Sequence, residues 1–318
     1  MDYKKDLIEV KDKNNKSKKN EYKKFNIEID EKRIARRVKI SKISRYIFSL
    51  SLAFALLVLV ILLYRIIVDS IGWLDLDFLT GRLSIFPDKA GIYSVIMGSV
   101  YVTMIVIPIT LVLGVSTAIY LEEYAPSGKI KRLINTNISN LASVPSVIFG
   151  LLGLTVFSRM LNLGSSILAG GLTLSLLVLP IIVVASQESI KAVPNELREA
   201  SLAMGATKWT TLKNVVLPIA LPGILTGSIL SVSRAIGETA PLAVLGIPTL
   251  ILTTPTSIFD DFTALPIQIY YWTLDTVLTP EYANLAAATI VVLLGVLIIM
   301  NSAAIIIRNR FQKKLYKG

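Results

Sequence analysis

An all-α membrane protein with six spanning helices is what this 318-residue sequence predicts, and three observations carry the prediction. Mean hydropathy is +0.64, with 53% hydrophobic and only 17% charged residues, a composition outside the range of soluble domains. Six apolar stretches reach the length of about 20 residues that a helix needs to cross a bilayer. They fall at 46–68, 92–120, 137–157, 166–186, 219–247 and 283–307. The basic residues alternate between successive loops. Of 33 Lys and Arg, 16 precede the first stretch, then 2, 3, 1, 4 and 0 occupy the five loops, and 5 follow the last. Both termini and loops two and four are therefore expected in the cytoplasm, because cytoplasmic loops retain positive charge.

Residues 1–45 are expected to be a basic cytoplasmic tail, largely disordered up to Asn26, with 16 basic and 8 acidic positions and no apolar period. Its part from Lys32 to Arg45 suits anionic headgroups of the membrane lipid. Positive charge on the inner side accounts for this tail without nucleic acid. The first apolar stretch begins only at Tyr46 and is too long for a cleaved signal, so it is expected to remain as an anchor. Arg65 near its outer end can snorkel outward. In the loop that follows, Trp73, Phe78 and Phe86 read as interfacial aromatics.

The second span carries Gly98 and Ser99 for close helix packing and Pro108 for a kink. It ends in Glu122 and Glu123, an acidic choice for a cytoplasmic end that a contact with loop four or with a neighbouring subunit would explain. The third span contains Pro145, which frees the carbonyl of Leu141 for nearby Ser and Asn side chains. The fourth has Gly170, Gly171 and Pro180, and the sixth is aliphatic throughout. Broken spans with small residues line cavities, so spans two to five are the candidate pathway. Residues 46–307 form one membrane domain, and 308–318 a short basic cytoplasmic tail.

Loop four, residues 188–218, reads as helix, turn, helix. Pro194 and Asn195 start a helix whose first turn bears Glu196 and Glu199, complementing the helix dipole. Gly205 stops it, and a second short helix from Thr207 is expected to end at Pro218. Ala200, Ala203, Met204 and Leu212 are expected to share one shallow apolar face. So small a helix pair cannot fold alone and must rest on the membrane domain or a partner.

The fifth span holds Arg234 and Glu238, four residues apart on one helical face. An arginine at the bilayer centre costs about 2.5–3.5 kcal/mol even on the lenient insertion scale, so Arg234 must face protein or water. The pair has two readings. It is either a neutralising structural pair or a substrate-pathway site, in which the Arg234 guanidinium offers a fork to tetrahedral anions and Glu238 holds the arginine between turnovers. Ser233 and Thr239 are added candidate donors. The outer loop 248–282 has no basic residue and four acidic ones, Asp260, Asp261, Asp275 and Glu281; this either disfavours capture of free anions and favours delivery by a docked protein, or is simply what the exclusion of basic residues from the outer side leaves behind.

The chain has no Cys and no His, so thiol chemistry, His-ligated metals and His bases are excluded, and neither cofactor nor metal is expected. No phosphate-binding G-x-x-x-x-G-K-[ST] loop occurs, so any ATP is hydrolysed by another subunit and the chain reads as non-catalytic.

The run Glu199-Ala200-Ser201-Leu202-Ala203-Met204-Gly205, with Leu217-Pro218 beyond it, resembles the EAA loop of ABC-importer permeases, the element that docks on the ATPase subunit. Residues 231–242, with 118–125, 137–154, 221–227 and 265–272, resemble the A-type permease of the bacterial phosphate-specific ABC transporter. The match departs at Ser143 and Ser201, where the family commonly has glycine and alanine. The resemblance implies a type I ABC importer permease fold in the bacterial cytoplasmic membrane. It also implies partners: a second homologous permease, two ATP-binding subunits and an extracytoplasmic phosphate-binding protein, with inorganic phosphate as substrate. Glu199, Ala200, Gly205, Leu217 and Pro218 would form the ATPase-coupling loop, and Arg234, Glu238, Ser233 and Thr239 the pathway. Sulfate or molybdate transport is the nearest alternative, and an ion-gradient carrier without an ATPase the next.

Overall fold

The computed structural model describes residues 31–251 and 253–315. Two units divide the chain, Met1–Leu63 and Tyr64–Gly318. Helix α1, Glu31–Ser70, carries the first apolar stretch. It starts well before Tyr46, so the basic segment is one rod with the span, and the apolar part long enough to cross a membrane runs over Arg36–Ser70. The disorder expected up to Asn26 falls outside the described residues.

The second unit is helical, and among its described residues the one β-type pairing is an isolated bridge between Ser166 and Asp261. Its helices are α2 (Leu76–Thr80), α3 (Tyr93–Ile119), α4 (Lys129–Leu141), α5 (Ser146–Leu152), α6 (Ile167–Lys191), α7 (Asn195–Ala203), α8 (Lys208–Thr211), α9 (Leu217–Ile236), α10 (Ala240–Leu245), α11 (Leu265–Asp275) and α12 (Tyr282–Leu315). Three wide π turns extend this set: Tyr120–Tyr124 after α3, Gly153–Met160 after α5, and Leu212–Val216 joining α8 to α9. Five helices among the described residues are long and apolar enough to span a membrane. The bent pair Lys129–Leu141 and Ser146–Met160, taken as one broken span, brings the number to six.

Helix α6 is the centre of the unit. Gly170 and Gly171 bring it against Phe262 and Ile105, and Val102, Val106, Leu174, Val178 and Ile182 fill the contact between α3 and α6. A second cluster, with Phe78, Ile92, Trp272 and Leu285, joins α2, α3, α11 and α12 at one end. A third, with Leu121, Ile190, Leu212 and Val216, lies at the opposite end, which bears the 188–218 loop. Helix α11 lacks a side-chain cap of its own; Ser99 of α3 accepts the Leu265 N–H at 2.7 Å instead.

Two of the expected spans take a different form. The third is not a kinked rod over 137–157: α4 and the segment Ser146–Met160 meet at 102°. Pro145 stands in extended conformation at the start of α5, which ends the first helix. The carbonyl of Leu141 is met by the Val144 N–H at 3.1 Å, and that of Asn140 by the Ser143 hydroxyl at 2.7 Å. The polar, basic α4 thereby separates from the apolar α5. The fifth span does not run unbroken to 247. It stops at Ile236, and 237–239 lead into the short α10. At its other end it begins earlier, because Pro218 does not terminate the loop's second helix. The π turn places the Leu217 N–H on the Leu212 carbonyl, and this wider turn accommodates Pro218, which has no N–H to offer, at the start of α9.

Candidate functional site

Arg234 occupies the last turn of α9, and Glu238 lies just beyond the helix end. The Arg234 Nε stands 3.1 Å from Glu238 Oε1. The i, i+4 pair expected from spacing is thus made, but across a helix terminus rather than along a helix face. Its two members differ in environment: the arginine side chain is 60% exposed and the glutamate 17%. A guanidinium held from one side only leaves its other N–H groups for an anion. Cations also suit a helix C-terminus, where carbonyls of the last turn are unpaired.

The other two pathway candidates are not gathered beside this pair. The Ser233 hydroxyl bonds the Ile229 carbonyl at 2.7 Å and Asn301 of α12, on a neighbouring face of the helix. Thr239 points its hydroxyl to the Pro266 carbonyl at 3.5 Å, toward α11. Both act here as links between helices.

The 188–218 loop is helix, turn, helix as expected. Helix α7 runs from Asn195 to Ala203, Gly205 turns the chain at φ +85, and the Thr207 side chain caps α8 by accepting the Thr210 N–H at 3.2 Å. A hydrogen bond of 2.9 Å between the hydroxyls of Ser201 and Thr211 holds the two helices together. Glu199, Ala200 and Gly205 are exposed, while Leu217 and Pro218 are half-buried at the base. The single apolar face expected of this loop is divided. Leu212 is buried in the core, whereas Met204 is 89% exposed, in company with exposed Leu197, Leu202 and Trp209.

Sequence reading overlooked Arg198. Its guanidinium donates to the carbonyls of Ile190 at 2.7 Å and Val193 at 2.5 Å, closing the end of α6, and meets Glu123 at 3.2 Å. The contact expected between the acidic end of span two and loop four is this one. Gln187 was overlooked as well. It lies buried in α6 and donates to Glu122 at 2.7 Å. The only signal for either was a polar residue near a span end, which is too common to single out.

Asp260 in the 246–264 loop accepts the backbone N–H groups of Thr256 and Ser257 at 2.8 and 2.9 Å, with the Thr256 hydroxyl at 3.0 Å. Those donors, led by the Thr256 amide, hold its carboxyl below the usual aspartate range.

Residues 110–312 match the family of inner membrane components of binding-protein-dependent transport systems. A probable ABC transporter permease protein of Bacillus subtilis, YqgI, is 34% identical over 86% of this chain and 97% of its own length. The phosphate transport system permease protein PstA of Mycobacterium leprae is 36% identical over 82% and 87%, and PstA 1 of Mycobacterium tuberculosis 37% over 67% and 70%. Among solved structures, a bacterial ABC transporter for import of the acidic polysaccharide alginate superimposes with a TM-score of 0.57 over 86% of this chain and 99% of the matched chain, at 15% identity. The inward-facing MetNI methionine ABC transporter gives 0.55 over 70% and 94%, at 19% identity. The overall helical fold is shared with ABC importer permeases, and the chain belongs to the family of binding-protein-dependent transport system inner membrane components.

Proposed function

We propose that this chain is a permease subunit of an ATP-driven importer of inorganic phosphate in a bacterial cell membrane, with both termini on the cytoplasmic side. The observation that carries the reading is the Arg234–Glu238 pair at the end of α9, whose arginine is held from one side and open on the other. An arginine within an apolar span is costly against lipid, so its open side belongs to an aqueous cavity or to a second protein. A second, homologous permease completing that cavity meets the requirement. The names of the mycobacterial relatives point to phosphate, and the guanidinium fork suits tetrahedral oxyanions.

In this reading an extracytoplasmic binding protein delivers phosphate, Arg234 receives it, and Glu238 reclaims the arginine as the anion leaves. The exposed loop face around Glu199, Ala200 and Gly205, with Leu217 and Pro218 at its base, meets one of two ATP-binding subunits. Hydrolysis occurs there, and the permease itself is not catalytic. Ser233 and Thr239 flank the pair in sequence and are added candidate donors on the pathway, their hydroxyls bonded within the chain to the carbonyls of Ile229 and Pro266.

ATP-dependent uptake of radiolabelled phosphate into vesicles holding this chain with its partners tests the reading. Wild-type uptake is expected to resist excess sulfate, and Arg234→Gln is expected to abolish it while the complex still assembles. Normal uptake by an assembled Arg234→Gln transporter refutes the pathway role. Competition by sulfate or molybdate moves the substrate to another oxyanion, and uptake that survives ATP depletion favours a gradient-driven carrier.

A further inference from the structure

Two adjacent carboxylates at the end of α3 face different helices. Glu122 and Glu123 lie in the wide turn Tyr120–Tyr124, and both are mostly buried, with side chains 10% and 20% exposed. Glu123 holds the docking helix α7 through Arg198, whose guanidinium is also bonded to Asn195 and to the last carbonyls of α6. Glu122 faces the other way. Gln187 donates to it at 2.7 Å, Lys131 of α4 approaches to 3.6 Å and Lys191 of α6 to 3.8 Å. Gln187 also donates to Asn135 of α4 at 3.1 Å.

Helix α4 has no fully buried residue; Ile138 packs on the Leu121–Ile190 cluster, and this polar network supplies its hydrogen-bonded anchor. Beyond its 102° bend follows α5, where Gly150 presses on the backbone of Pro241 in α10. Helix α10 begins two residues after Glu238. A continuous chain of close contacts therefore leads from the docking helix to the break that holds the Arg234–Glu238 pair.

Resting on the reading of 188–218 as the ATPase-docking loop, we propose that Glu122 and Glu123 are the joint that carries movement of that loop to the Arg234–Glu238 break. Glu123 grips the docking helix through Arg198, and Glu122 grips α4 through Lys131 and the Gln187–Asn135 bridge. They are positioning residues and touch no substrate. Exposed ion pairs contribute little, but carboxylates 10% and 20% exposed and held by several partners form a stiffer link, which transmits displacement rather than absorbing it. Two grips on consecutive residues of one turn also make any rotation of that turn common to both helices.

The test uses the complete transporter in proteoliposomes and measures phosphate imported per ATP hydrolysed. Glu123→Gln and Glu122→Gln are expected to leave the ATP-binding subunits bound and hydrolysing. The ratio should fall about tenfold, the scale of one lost charge-assisted hydrogen bond. Because the chain has no native cysteine, Glu123→Cys with Arg198→Cys offers a rescue version. Before cross-linking the ratio should be low, and a short bis-maleimide bridge should restore it. A merely structural role predicts parallel loss of hydrolysis and uptake with no recovery on bridging. That result, or a wild-type ratio in Glu123→Gln, overturns the proposal. Gly205→Asp separates the two levels. If it leaves the ATP-binding subunit bound and active, the docking reading fails and the joint with it. If it releases that subunit while Glu123→Gln keeps a normal ratio, the joint alone fails.

Discussion

Replacing Gly150 with alanine should loosen the crossing of α5 and α10, and the geometry sets the size of the effect. A Cβ at position 150 would lie 2.9 Å from each of three atoms: Pro241 Cα, Pro241 O and Val244 Cβ. Carbon atoms pack at about 3.5–4.0 Å, so the two helices must part by roughly 0.6 Å or more. No rotamer change relieves this, because all three atoms are backbone or Cβ. Overpacking of this kind costs about 1–3 kcal/mol. The internal control is Gly295→Ala in α12, where an added Cβ meets nothing within 4 Å. There the gain in helix propensity of about 0.5–1 kcal/mol acts alone. Reversible unfolding in mixed micelles of rising SDS content measures both variants. Gly150→Ala should unfold earlier than wild type, Gly295→Ala at or after it, and the two should differ by at least about 1 kcal/mol. Because α10 begins two residues after Glu238, transport by the assembled complex should fall in the first variant and hold in the second. Indistinguishable unfolding curves for the two variants would refute the close approach of α5 to α10.

Ser99→Ala removes the acceptor for the Leu265 N–H, leaving a buried donor unpaired at the start of α11, and should lower stability by about 1–3 kcal/mol in the same titration. The depressed Asp260 carboxyl bears on pH. Its stabilising effect on the 256–261 turn is present above the unfolded aspartate value of about 3.9 and is lost as pH falls through the lower folded value. Hydrogen-exchange protection of the Thr256 and Ser257 amides should therefore persist at pH about 4, where half of ordinary aspartates are protonated, and Asp260→Asn should weaken it at every pH.

The features legible in the sequence are those that local chemistry decides. Apolar runs of spanning length and the uneven placement of Lys and Arg depend only on the chain and the bilayer, and the six spans follow from them. The pairing of Arg234 with Glu238 is likewise local, since four residues bring the groups within reach whether or not the helix continues. The turn at Gly205 needed only a residue free to take positive φ.

What tertiary structure alone decided is how these pieces end and whom they face. Pro145 signalled a disturbance, but not that the two helices meet at 102°, nor that Gln187 of α6 is a partner of Asn135 in α4. Pro218 read as a stop, yet a π turn carries the helix past it, with Leu212 and Val216 buried in the same core as Ile190. Ser233 and Arg234 are neighbours in sequence, but α12 claims one and leaves the other open. Glu122 and Glu123 find their partners 65 and 75 residues away, in Gln187 and Arg198. Helix formation is settled within a few residues by backbone hydrogen bonding. The partner of a polar group at a helix end is settled only when distant helices pack, because burial is what makes an unsatisfied group costly enough to select one neighbour over water.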